Sequence, residues 1–176
     1  MANRQALKDL QMRLAERLKL AKTQGIAPSW LAVEAGGEKY LFSLDQSGEF
    51  LSWAGIQPVS YTQAWFLGVA SLRGGLYGVV DLAGFVTGKT LGLRNEIVRT
   101  ESRLVSFNAA LEVNSVLLID KLAGLRKQGD FVNYSVRKPD EPVFFGNQYL
   151  DIHGASWQEI NLQILAQQVD FLTVAA

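Results

Sequence analysis

The apolar positions change period once, near residue 29. Before it, Leu7, Leu10, Leu14, Leu18 and Ala21 recur at three- and four-residue spacing, which predicts a helix over residues 1–24 with one apolar stripe. Gly25 and Pro28 are placed to close it. From Ser29 the spacing shortens to strands. Trp30–Ala35 and Lys39–Leu44 are joined through Gly36-Gly37, a short-range hairpin signal. Asp45–Gly48 is a turn cluster, Glu49-Phe50-Leu51 a short strand, and Ile56–Thr62 a connector containing Pro58. Two further apolar runs, Trp65–Leu72 and Leu76–Leu82, flank Arg73-Gly74-Gly75 and predict a second hairpin. Gly84–Ile97 holds several glycines and reads as loop. Arg103–Asn108 and Leu111–Ile119 read as a strand pair, and Arg126–Gln148 as a long excursion with a strand or two. Near the end, Ser156-Trp157-Gln158-Glu159 matches a capping box, which would start a helix at Trp157.

Charge changes the picture at the N-terminus. Six basic residues against two acidic ones give residues 1–24 a net +4, so in a neutral chain the remainder carries −4. A helix docked on its own domain, with a solvated basic face, is the plain expectation; a partner-binding or dimerising helix is the alternative. The stripe has no Trp or Phe to anchor it at a membrane surface. Overall neutrality argues against a nucleic-acid partner. There is neither a secretory signal nor an apolar run long enough to span a bilayer, so no direct membrane insertion is expected. In that context the sequon at Asn133-Tyr134-Ser135 reads as coincidence.

Candidate chemistry is sparse. The chain has no cysteine, which excludes disulfides, thiolate metal sites and thiol catalysis. His153 is its one histidine, so a His-pair metal site is excluded and a Ser-His-Asp triad would rest on it alone. Gly88-Lys89-Thr90 resembles the tail of a phosphate-binding loop, and a small nucleotide-binding enzyme built on it is the rival from another class. That motif needs glycine where Ala83 stands; Gly84 comes one residue too late. The carboxylates are scattered and read as solvated surface, and Trp53, Trp65 and Trp157 as core. No catalytic set, metal or cofactor is expected.

The Trp65 hairpin carries a more specific signal. Trp65, Gly68-Val69, Arg73-Gly74 and Asp81-Leu82 stand at the spacings of a Trp, then G-V-x-N-x-R-G, then a strand ending in D-L. This resembles the CheW-like family of bacterial adaptors, with Ser71 where Asn is usual and Gly78 where a strand Pro is usual. Gly48-Glu49, Ile56–Val59, Arg103-Leu104-Val105 and Val116–Asp120 resemble further family elements, although Asn114-Ser115 replaces the usual Gly. Phe171–Ala175 and the extended N-terminus resemble the branch that serves type IV pilus (twitching) chemosensory systems rather than the flagellar one.

The resemblance implies an all-β fold: two small five-stranded SH3-like β-barrels side by side over residues 29–174, preceded by the amphipathic helix at 1–25 and carrying a short C-terminal helix. It also implies a strand near Trp157–Asn161 and a helix from Leu162 to Val169, in competition with the capping box. Its functional implication is a non-enzymatic adaptor, without cofactor, coupling methyl-accepting chemoreceptors to a CheA-like histidine kinase. Such an adaptor would work in the cytoplasm, at arrays on the inner face of the membrane. One barrel face would dock on the kinase regulatory domain, and a groove between the barrels would take the receptor tip. Carried over by position, Glu49, Leu72, Arg73, Gly74 and Asp81 are the expected protein-interaction residues. Arg73 is expected to pair with Glu49.

Overall fold

The structure is a computed structural model and describes residues 2–23, 28–52, 55–89 and 96–176. Gly25, Trp53, Thr90 and part of the expected 84–97 loop lie outside the described residues.

Helix α1 (Ala2–Thr23) is followed by strands β1 (Trp30–Ala35), β2 (Glu38–Ser43) and β3 (Ser47–Ser52). Next come β4 (Phe66–Leu72), β5 (Gly75–Asp81), helices α2 (Leu82–Thr87) and α3 (Glu96–Glu101), and strands β6 (Arg103–Phe107), β7 (Ser115–Ile119) and β8 (Lys121–Arg126). The chain finishes with β9 (Phe131–Ser135), β10 (Phe145–Asp151), β11 (Ser156–Ile160) and the short helices α4 (Leu162–Ala166) and α5 (Val169–Leu172). The strands form two sheets, ordered β8-β1-β2-β11-β10-β9 and β3-β6-β7-β5-β4. These are the two SH3-like barrels, the second inserted in sequence between β2 and β8 of the first. The first has six strands rather than five, because β9 pairs onto β10 and extends the edge.

The largely apolar runs of β1 and β7 are explained by burial on both faces. Along β1, Leu31, Val33 and Ala35 point into the interface between the barrels, while Trp30 and Ala32 fill the first barrel with Leu41 and Trp157. Along β7, Leu117 and Ile119 face the same interface, whereas Val116 and Leu118 fill the second barrel with Leu72, Val79 and Leu104. Phe171 of α5 completes the interface, buried among Trp65, Phe85 and Phe107 with ring centroids 5.5–6.4 Å apart.

The order of elements corrects further expectations. The start and end of the loop expected over Gly84–Ile97 are helical, in α2 and α3: Leu82 and Ala83 are buried, and Gly84 admits Trp65 Cβ to 3.3 Å of where its own Cβ would stand. The strand expected over 111–119 begins only at Ser115, since a 3₁₀ turn at Ala109–Leu111 is capped by the Asn108 side chain. Strand β8 lies where no element is expected from the sequence. The strand expected near Trp157–Asn161 is present as β11, and the competing capping box at Ser156 caps nothing; Asn161 instead caps α4 by accepting from the Ile164 N–H at 3.0 Å. Helix α4 stops at Ala166, short of the expected Val169.

Helix α1 forms as its periodicity demands, and in this structure the stripe expected to dock is uncovered where its side chains are described. Leu7, Leu10 and Leu14 are 56%, 54% and 56% exposed. No helix among the described residues is long and apolar enough to cross a membrane.

Candidate functional site: the β4–β5 hairpin tip

The β4–β5 hairpin turns on two residues, Arg73 and Gly74, with Leu72 opposite Gly75. Arg73 has φ 47° and Gly74 φ 79°. Positive φ at both central positions is what the right-handed twist of the strands requires of a two-residue turn. Gly74 adopts it without cost. Arg73 does not: a side chain in the left-handed region costs about 1–2 kcal/mol.

Strands β3 and β4 are opposite edges of the second sheet, so only closure of that sheet brings Glu49 to the hairpin tip. A bulge in β3, between Ser47 and Phe50, lifts Glu49 out of the ladder. Its N–H then donates to Ser106 Oγ at 2.8 Å, and its carboxylate is free to turn toward β4. Arg73 Nη1 donates to Glu49 Oε1 at 2.6 Å, so the expected pair is present. Its side chains are 66% and 56% exposed, which limits its worth to about 1 kcal/mol or less. Beside the pair along the chain lie two exposed apolar residues, Phe50 and Leu76.

The barrel seam is sealed by the connector after β3. The Gln57 N–H donates to the Val69 carbonyl at 2.8 Å, and the Val69 N–H returns to Gln57 at 2.9 Å. Gly68 makes this possible. It has φ 136°, and a Cβ there would stand 2.7 Å from the Gln57 carbonyl carbon and 2.9 Å from Pro58 Cα. The Gly-Val of the hairpin signature therefore marks a backbone crossing, a reason not visible in the sequence.

Of the five expected interaction residues, the structure gathers Glu49, Arg73 and Gly74 at one exposed tip. Leu72 lies directly beneath them, 7% exposed and packed into the second barrel. Asp81 is not brought there. It ends β5, about 20 Å away along the strand, is 4% exposed, and precedes the first turn of α2. Leu72 and Asp81 thus support the hairpin from within rather than line its surface.

The remaining candidates fall elsewhere. Gly88 closes the C-terminal end of α2 with φ 66°, and its N–H is spent on the Gly84 carbonyl. A phosphate cradle needs free N–H groups at a helix N-terminus, so Gly88-Lys89 sits at the wrong end of the dipole. His153 lies in the exposed turn after β10, its N–H bonded to Asp151 Oδ1 at 2.9 Å. No metal-holding group of His, Cys, Asp or Glu occurs among the described residues.

Displaced pKa values belong to the first barrel. Burial, aided by Glu38, pushes Tyr40 up to about 12. Burial also raises Glu159, opposed by the hydrogen bond it accepts from Trp30 Nε1 at 2.6 Å. Asp151 is lowered, chiefly because Trp157 Nε1 donates to it at 2.9 Å. These carboxylates hold the two core tryptophans of the barrel in place.

Sequence reasoning missed Ser106, which satisfies the bulged Glu49 N–H, and an acidic turn, Pro139-Asp140-Glu141-Pro142, at the inter-barrel groove. The proline-bracketed acidic pair was the signal for the second; nothing local marked the first.

Comparison with curated proteins finds no match. Among solved structures, the fold is similar to the crystal structure of the scaffolding protein TtCheW from Thermoanaerobacter tengcongensis: TM-score 0.59, 16% identity, covering 82% of this chain and 96% of that one. The CheW-like domain model matches residues 29–128, which hold β1–β8 and the whole hairpin site. More than half of the chain is thereby matched, and the chain belongs to the CheW-like domain family.

Proposed function

We propose that this protein is a non-enzymatic signalling adaptor that couples chemoreceptors to a CheA-like histidine kinase. One observation carries the reading beyond family membership. An arginine is held in a left-handed conformation at an exposed turn and pinned across the barrel seam to Glu49. Glycine or asparagine would fit such a turn with less strain, and an exposed ion pair contributes little to stability. Strain retained at an exposed, rigid tip points to a role in recognition. Phe50 and Leu76 offer apolar contact beside that charge pair, as protein interfaces favour.

We further propose the type IV pilus branch, that of PilI, on the strength of the Phe171–Ala175 segment and the N-terminal helix. The domain is taken to run from 29 to 174, because β9–β11 and the closing helices complete the first barrel.

The test is reconstitution of receptor-stimulated kinase activity with Arg73→Ala. The variant is expected to keep its melting temperature within a few degrees, since the lost pair is worth about 1 kcal/mol or less, and to lose coupling. A folded variant that couples fully would refute the role of the tip. For the branch, deletion of the gene is expected to abolish twitching and spare swimming; the reverse outcome would assign the flagellar system.

A further inference from the structure

An open groove of about 740 Å³ runs between the two barrels. Its floor is aromatic, formed by Trp65, Phe85 and Phe144. Its rim carries Asp140, Glu141 and Asp170, and among the described residues neither Lys nor Arg lines it. Asp140 and Asp170 make no ion pair among the described residues.

We propose that α1 of the same chain docks in this groove, its leucine stripe on the aromatic floor and its basic flanks against the acidic rim. The inference stands on shape and charge and does not rest on the signalling role proposed above. Leu7, Leu10 and Leu14 follow the i, i+3, i+7 spacing by which a helix seats in a groove, and all three are more than half exposed. The residues bordering that stripe include Lys8, Arg13 and Arg17, all exposed. Residues 1–24 carry +4 and the rest of the chain −4. Pairing two α1 helices stripe to stripe would bring like charges together, whereas the groove offers the opposite sign.

The chain is long enough for this contact. Ser43 lies opposite Trp30, Ile160 pairs with Phe42 and Phe145 with Ile160, so the start of β1 and Phe144 share one end of the first sheet. Three strand spacings separate them, about 14 Å. The five steps of chain from Thr23 to Pro28 reach about 17 Å when extended.

Because the chain has no cysteine, disulfide trapping gives a direct test. Leu10→Cys is combined with Val143→Cys on the groove wall, both exposed positions, and the full chain is oxidised at low salt. A control pairs Leu10→Cys with Val132→Cys on β9, which is also exposed. The expected result is an intramolecular disulfide that forms about tenfold faster than in the control, as a tethered contact requires. Adding Asp140→Lys and Asp170→Lys is expected to remove most of that advantage. A rate equal to the control, or one indifferent to the charge reversal, would overturn the proposal. Predominantly covalent dimers would overturn it too, by assigning the groove to a second copy.

Discussion

Gly68→Ala tests the account of how the second barrel is sealed. The substitution places a methyl group against the backbone of Gln57 and Pro58, neither of which can swing aside as a side chain would. It also forces an L-residue to φ 136°. Backbone strain of this kind costs about 1–3 kcal/mol. Moving the connector to make room would further break the two Gln57–Val69 hydrogen bonds, of 2.8 and 2.9 Å, which close the seam. Each is worth about 0.5–1.5 kcal/mol, so the expected total is about 2–6 kcal/mol. In urea, with a slope of about 2 kcal/mol/M, the midpoint should fall by about 1–3 M. Gly74→Ala is the control: its φ of 79° is also positive, but a Cβ there meets nothing within 4 Å. It should cost only about 1–2 kcal/mol of conformational strain. Equal costs at the two positions would show that the connector does not press on Gly68, and the reasoning would fail.

Three further outcomes are expected. Phe171→Ala should destabilise the chain by about 3–5 kcal/mol in urea unfolding, because it empties the aromatic cluster between the barrels; a loss under about 1 kcal/mol would mean that α5 is not part of the cooperative core. Glu159 has a folded pKa above its ordinary 4.5, so the stability linked to it is full at low pH and is lost as pH rises through the raised value. Wild type should therefore gain in melting temperature on Glu159→Gln as pH falls from neutral through that range, and a difference that is flat with pH would refute the assignment. Residues 29–128 expressed alone should fail to fold, since β2 would lose its parallel partner β11 and expose both an edge and the inner barrel face; a cooperative unfolding transition from that fragment would disprove it.

The sequence alone determined what short range decides. Gly36-Gly37 and Arg73-Gly74 lie at turns that need positive φ, so both hairpins were legible, each within a residue or two. The leucine spacing of α1 required a helix whether or not anything covered it. The largely apolar runs at Trp30–Ala35 and Leu111–Ile119 signalled strands, although not that β1 and β7 would be buried on both faces between two barrels. The family followed from fixed spacings around Trp65.

Tertiary structure decided whatever joins distant segments. The capping-box pattern at Ser156 is a genuine helix signal, but β11 gains parallel hydrogen bonds from β2 and buries Trp157 and Ile160 on opposite faces. That burial outweighs the roughly 1 kcal/mol a cap is worth. Glycines suggested a loop at 84–97, yet Gly84 is small because Trp65 packs on α2, a contact spanning the hairpin. Asp81 and Arg73 look alike in the sequence as the charged pair of one apolar hairpin. Only the fold separates them, because strand length puts them at opposite ends: one is buried at a helix start, the other exposed against Glu49. Barrel closure brings together two sheet edges that no local interaction links, and it is there that the exposed site was assembled.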